Sequence, residues 1–124
     1  MSKQIIIAER LRIAAVLTDR KVDELIVAQG LYQIGDIYLG TVENVHLGLD
    51  AAFVNIGENE KNGFLPVADL GPLRQKKGSA EITALLKPAQ KVTVQVNKEP
   101  TGNKGPTLTG NIELTGRYLV LQPH

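Results

Sequence analysis

The sequence predicts a mainly β protein organised around a small closed barrel. Three observations lead there: a succession of short runs with period-two alternation, glycines inside and between those runs, and one long irregular connection. At 124 residues the chain suits one ordinary domain, or a small domain with an appendage. Apolar residues make up 43% and charged residues 22%, the balance of a globular chain rather than a disordered one. Aromatic residues are only 4%, so any aromatic outside the core needs its own explanation.

The elements follow in order. Gln4 to Ala8 and Leu11 to Leu17 are apolar runs that predict strands, and the polar break Thr18-Asp19-Arg20-Lys21 suits a turn into a third strand, Val22 to Ala28. This meander has no helix to cover it, and a small sheet alone is marginal in water, so it calls for a partner layer. Gln29 to Gly35 is a connector. Asp36 to Val45 predicts a long strand, with Gly40 marking a bulge or sharp coil. After a turn at His46-Leu47-Gly48 come a strand over Ala51 to Ile56, a polar loop from Gly57 to Gly63, and a short strand over Phe64 to Val67. Arg74 to Lys87 is charged and irregular, with one helical turn expected near Glu81 to Leu86. Lys91 to Asn97 alternates strictly, Lys98 to Gly105 is a basic loop with glycines, and Pro106 to Asn111 leads toward a last strand, Arg117 to Leu121. This pattern is that of a five-stranded barrel of the OB type. The last strand stops almost at the chain end, which, with the uncovered meander, suggests a part of a larger protein in which it rejoins the first three strands.

Bulk chemistry narrows the function. Net charge is only +1, so a nucleic-acid role must rest on where the charges cluster. The absence of cysteine excludes disulfides, thiolate catalysis and cysteine-ligated metal, and fits a reducing compartment. The apolar run near the N-terminus is too short for a signal peptide, and nothing approaches the roughly 20 apolar residues of a membrane helix. The two histidines, His46 and His124, form no ligand-spaced pair. The acidic residues, among them Glu43, Asp50, Glu58, Glu60 and Asp69, show no convergent carboxylate set of the kind two-metal nucleases need. Gly102-Asn103-Lys104-Gly105-Pro106-Thr107 superficially resembles a phosphate-binding P-loop, but Pro106 stands where that motif requires lysine.

Alternation then sorts the faces. In Ala51 to Ile56 the inward set is Ala52, Val54 and Ile56, which turns Phe53 outward beside Asn55. In Asn62 to Val67 the inward pair is Leu65 and Val67, which turns Phe64 outward beside Asn62. Two outward phenylalanines form the kind of platform on which single-stranded bases stack; the competing reading has each ring capping a barrel end or lying under the Arg74–Lys87 loop. In Lys91 to Asn97 the three valines face inward, and Lys91, Thr93, Gln95 and Asn97 face outward. Lys98 and Lys104, beside flexible backbone amides, can hold phosphates, or can simply be solvated.

These residues also carry a resemblance. Gly35-Asp36-Ile37-Tyr38-Leu39-Gly40, Ala51-Ala52-Phe53-Val54, Asn62-Gly63-Phe64-Leu65-Pro66, Lys98-Glu99-Pro100-Thr101-Gly102-Asn103-Lys104-Gly105 and Tyr118-Leu119-Val120-Leu121 stand in the order and spacing of the ribonuclease E/G family's amino-terminal region. The barrel part resembles the S-one RNA-binding domain, and Pro100-Thr101 is similar to cyanobacterial or plastid members. The resemblance implies an architecture: residues 1–34 as the first strands of a truncated ribonuclease-H-like subdomain, 35–112 as the inserted OB barrel, and 113–124 as a strand returning to that subdomain. It implies that Phe53 and Phe64 contact bases, that Lys104 lines the same RNA channel, and, more distantly, that Lys98 and Tyr38 contribute. It implies no catalytic or metal residue here: the parent would use magnesium held by aspartates outside this chain. It also implies single-stranded RNA, the rest of the parent ribonuclease and proteins of an RNA-degradation assembly as partners, and the cytoplasm or plastid stroma as location. The expectation is a non-catalytic single-stranded RNA-binding module of an endoribonuclease acting in RNA turnover and processing. An OB-type protein-docking module and an intrinsic nuclease are the rivals.

Overall fold

The computed structural model describes residues 1–28, 32–57, 61–74 and 82–123. The chain divides into two compact units, Met1–Leu31 and Tyr32–His124.

The first unit is a meander of β1 (Lys3–Ala8), β2 (Ile13–Thr18) and β3 (Lys21–Val27), antiparallel in the order β1-β2-β3. Left-handed backbone at Asp19 and Arg20 makes the tight β2–β3 turn, and the Ser2 amide donates to the Asp19 carboxylate at 3.0 Å. Leu11 belongs to a short 3-10 turn rather than to β2, and β3 carries a register shift opposite Val16 and Leu17. Ile5, Ile6, Ile7, Leu25 and Ile26 are all exposed, so apolar side chains alternate onto both faces of this sheet.

The second unit is the barrel. Its strands are β4 (Ile37–His46), β5 (Ala51–Asn55), β6 (Gly63–Pro66), β7 (Lys91–Lys98) and β8 (Thr107–Thr109), closed in the order β4-β5-β6-β8-β7, with β7 returning to β4. All ladders are antiparallel except β6–β8, which is parallel and consists of the single register pair Phe64 and Thr107. One antiparallel meander, a crossover and a parallel closing pair are the OB arrangement expected from the sequence. A helical turn, α1 (Ile82–Leu85), lies in the crossover, and the expected turn's first residue, Glu81, lies outside the described residues.

The core is built from the inward members of each alternation: Val42, Ala52, Val54, Leu65, Val92, Val94, Val96 and Leu108, with Leu70, Leu85 and Leu86 closing one side. Each is nearly inaccessible to water, so truncating one of the leucines should cost about 2–5 kcal/mol. Gly40 lets this barrel close tightly, because a Cβ there would collide with the Val54 side chain. Of the bulge or sharp coil expected at Gly40, the bulge lies instead at Glu43, between Val42 and Asn44. The β4–β5 turn is fixed by the His46 imidazole, whose Nδ1 accepts from the Leu49 amide at 3.2 Å.

Three further differences concern Gln95, the last strand and Val67. Gln95, expected on the outer face, is buried: its amide nitrogen donates to the carbonyls of Gly35 and Glu113 at 3.0 and 2.8 Å, and its oxygen accepts from the Glu113 amide at 2.8 Å. The segment after β8 folds over the end of β7 and turns an outward position into an interior one. The last strand is short: β9 (Leu114–Thr115) pairs with β10 (Val120–Leu121), while Arg117 to Leu119 form the connecting turn. Val67 begins a 3-10 turn after β6 and is half-buried against the core.

Candidate nucleic-acid interface

Phe53 and Phe64 lie directly opposite each other in the β5–β6 ladder. Alternation puts both side chains outside the barrel, where they are half-buried and meet edge to face, with ring centroids 5.8 Å apart and planes at 65°. This arrangement suits the aromatic quadrupole, and it holds the two rings as one rigid unit.

The rings form the floor of a groove of about 730 Å³ whose other walls include Leu49, Lys61, Asn62, Lys98, Glu99, Lys104 and Thr107. Each wall has a structural origin. Lys98 ends β7, just beyond a register shift opposite β8. Lys104 is held by a tight turn in which its amide donates to the Thr101 carbonyl at 2.8 Å, with Gly102 in left-handed backbone (φ 52°). Gly105 then passes so close to the Asn62 carbonyl that any Cβ would overlap it, which seats the basic loop against the start of β6. The Phe64 amide donates to the Pro106 carbonyl at 2.9 Å and completes that seam. Across the groove mouth, the Lys61 ammonium donates to the Gly102 carbonyl at 3.2 Å.

Among the described residues that line the groove, three lysines stand against one glutamate, on a chain of net charge +1. A rigid apolar floor with ammonium groups along its edge can bind a flat ring and an adjacent anion together. A second cleft, of about 720 Å³, is lined by Asp69, Glu113, Asn97, Asn111 and neighbouring residues, with carboxylates and no lysine, and is unsuited to an anionic polymer.

The structure therefore gathers Phe53, Phe64, Lys98 and Lys104 into one groove. Tyr38 is placed apart from them. It is half-buried against the core, its ring meets Tyr32 edge to face at 5.5 Å, and its hydroxyl donates to the Asp36 carboxylate at 3.2 Å. Lys61 and Leu49 were not singled out by the sequence. Lys61 stands three residues before Phe64, and that proximity was the available signal; the polar run around it reads as a solvated loop. Glu58 and Glu60 lie outside the described residues.

The chain is similar to known proteins over its whole length. No protein-family model matches the chain. Over all 124 residues it is 66% identical to ribonuclease E of Nostoc sp. and 56% identical to ribonuclease E of Synechocystis sp.. The sequence belongs to the ribonuclease E/G family. A ribonuclease E/G-like protein of Porphyra purpurea is 49% identical over 99% of the chain. The chain spans 18% of the length of the two cyanobacterial ribonucleases and 24% of the Porphyra protein. Membership of the family agrees with the cyanobacterial and plastid character of Pro100-Thr101, and with the mainly β, OB-type barrel. Among the described residues, no helix is long and apolar enough to cross a membrane.

Proposed function

We infer that the barrel binds single-stranded RNA and delivers it to the catalytic part of a ribonuclease E/G-type endoribonuclease, while this chain itself leaves the phosphodiester intact. The observation that carries this reading is the Phe53–Phe64 pair at the floor of a groove edged by Lys61, Lys98 and Lys104. Stacking on an aromatic is worth about 1–3 kcal/mol per base and tolerates any sequence, because every base has a π-face. The lysines supply the phosphate contacts, which makes affinity fall as salt rises. Base pairing would bury the faces and edges that the groove engages, so duplex RNA should be the poorer ligand. Hydrolysis is assigned to magnesium-dependent residues of the larger protein.

Fluorescence anisotropy with a labelled single-stranded RNA of six to ten nucleotides tests the reading, at two salt concentrations and with a duplex control. Saturable binding that weakens with salt and prefers the single strand is the expected result. Saturable capture of a protein from the parent assembly with no RNA signal would point instead to a docking module. Magnesium-dependent cleavage by the isolated chain would place catalysis within it.

A further inference from the structure

Glu43 occupies the bulge of β4, the one residue there without a register partner on β5. Bulges re-aim side chains, and here the carboxylate is turned toward two asparagines on the outer face. One oxygen accepts from the Asn55 amide nitrogen at 3.0 Å, and the other accepts from the Asn62 amide nitrogen. Asn55 is occupied at both ends, since its side-chain oxygen also accepts from the Gly57 amide at 3.0 Å. Asn62 is not: among the described residues its side-chain oxygen accepts no hydrogen bond, and Asn62 lines the groove two residues before Phe64.

The orientation of that amide follows from chemistry. An ionised carboxylate can only accept, so Asn62 must offer its NH2 to Glu43 and leave its oxygen at the other end. An asparagine free to flip could present a donor or an acceptor. This one is held as an acceptor next to an aromatic platform.

We propose that Asn62, oriented by Glu43, accepts a hydrogen bond from an N–H on the Watson–Crick edge of the base stacked at Phe64. The proposal rests on the RNA-binding reading and adds edge recognition to it. Asn62 is the contacting residue and Glu43 a positioning residue. A stacked base whose edge N–H is spent on a complementary strand cannot make this contact, so the same oxygen discriminates against duplex. The groove then prefers bases bearing an amino or imide N–H over analogues that lack it.

The test is a set of anisotropy titrations with short oligomers that differ only in that edge. Adenosine is compared with purine ribonucleoside, which lacks the amino group, and uridine with N3-methyluridine. The wild-type chain should bind each N–H-bearing oligomer about three- to tenfold more tightly than its partner. Asn62→Ala should bring both ratios to about one. Glu43→Gln, which keeps side-chain length but lets the Asn62 amide flip, should shrink them while thermal melting confirms an intact fold. Ratios near one in the wild type, or unchanged ratios in Asn62→Ala, would overturn the proposal. If binding still depends on Phe53 and Phe64 in that case, the RNA-binding reading survives and only edge recognition fails. If no oligomer binds, both fall together.

Discussion

Removing one ring of the Phe53–Phe64 pair tests the proposed platform directly. Phe64→Ala deletes a stacking surface worth about 1–3 kcal/mol, which corresponds to a roughly 5- to 150-fold rise in Kd for a short single-stranded RNA. It also strips Phe53 of an edge-to-face neighbour whose centroid lies 5.8 Å away, a contact worth about 0.5–1.5 kcal/mol. Phe53→Ala should therefore cost a similar amount. The double variant should lose less than the sum of the two, because either single change already disorders the shared platform. Stability should survive: a fully buried Phe→Ala costs about 3–5 kcal/mol, and a half-buried ring outside the core should cost roughly half that. A labelled hexamer followed by anisotropy, with thermal melts alongside, measures both quantities. Wild-type Kd in both single variants, with melts confirming that they fold, would refute the stacking argument.

Other expected outcomes follow the same residues. Lys104→Ala should weaken RNA binding and flatten the dependence of log K on log salt by about 0.7, the loss of one phosphate contact; a wild-type slope would remove Lys104 from the track. Gly105→Ala drives a Cβ into the Asn62 carbonyl and should cost about 1–3 kcal/mol in a urea titration while lowering RNA affinity, and an unchanged midpoint would mean that the loop can retreat from β6. Gln95→Leu leaves the Glu113 amide and the carbonyls of Gly35 and Glu113 without their side-chain partner, and should lower stability by about 1–3 kcal/mol.

How much of this was legible in the sequence depended on whether the deciding force was local. Val92, Val94 and Val96 face inward because a strand alternates, and the same rule placed both phenylalanines outside. Gln95 broke the rule because its environment comes from Gly35 and Glu113, 60 and 18 residues away in sequence. The bulge at Glu43 has no local signature, since the residue is neither glycine nor proline. Gly40 offered one and was misleading: it serves the close approach of Val54 instead. Of the groove, the aromatic floor and Lys98 and Lys104 were readable. The Glu43–Asn55–Asn62 contacts were not, because they depend on the bulge that turns Glu43 toward the two asparagines, and that bulge has no signature in the sequence. The final strand was overestimated, since the apolar run that follows Arg117 reads as a strand of five residues while only Val120 and Leu121 find partners.

The barrel is shut between β6 and β8 by a single parallel rung, Phe64 against Thr107, and both residues line the groove. A polymer lying there bridges the two lips of the join that has the fewest paired residues in the barrel, like a stitch across a hem. Occupancy and closure are then thermodynamically linked: whatever free energy the ligand gains by touching both lips is withdrawn from the opening fluctuations of that join. The amide of Phe64 should exchange its hydrogen more slowly as RNA is added, while amides in the β4–β7 ladder, where five residue pairs from Ile37 to Thr41 hold the strands together, change little.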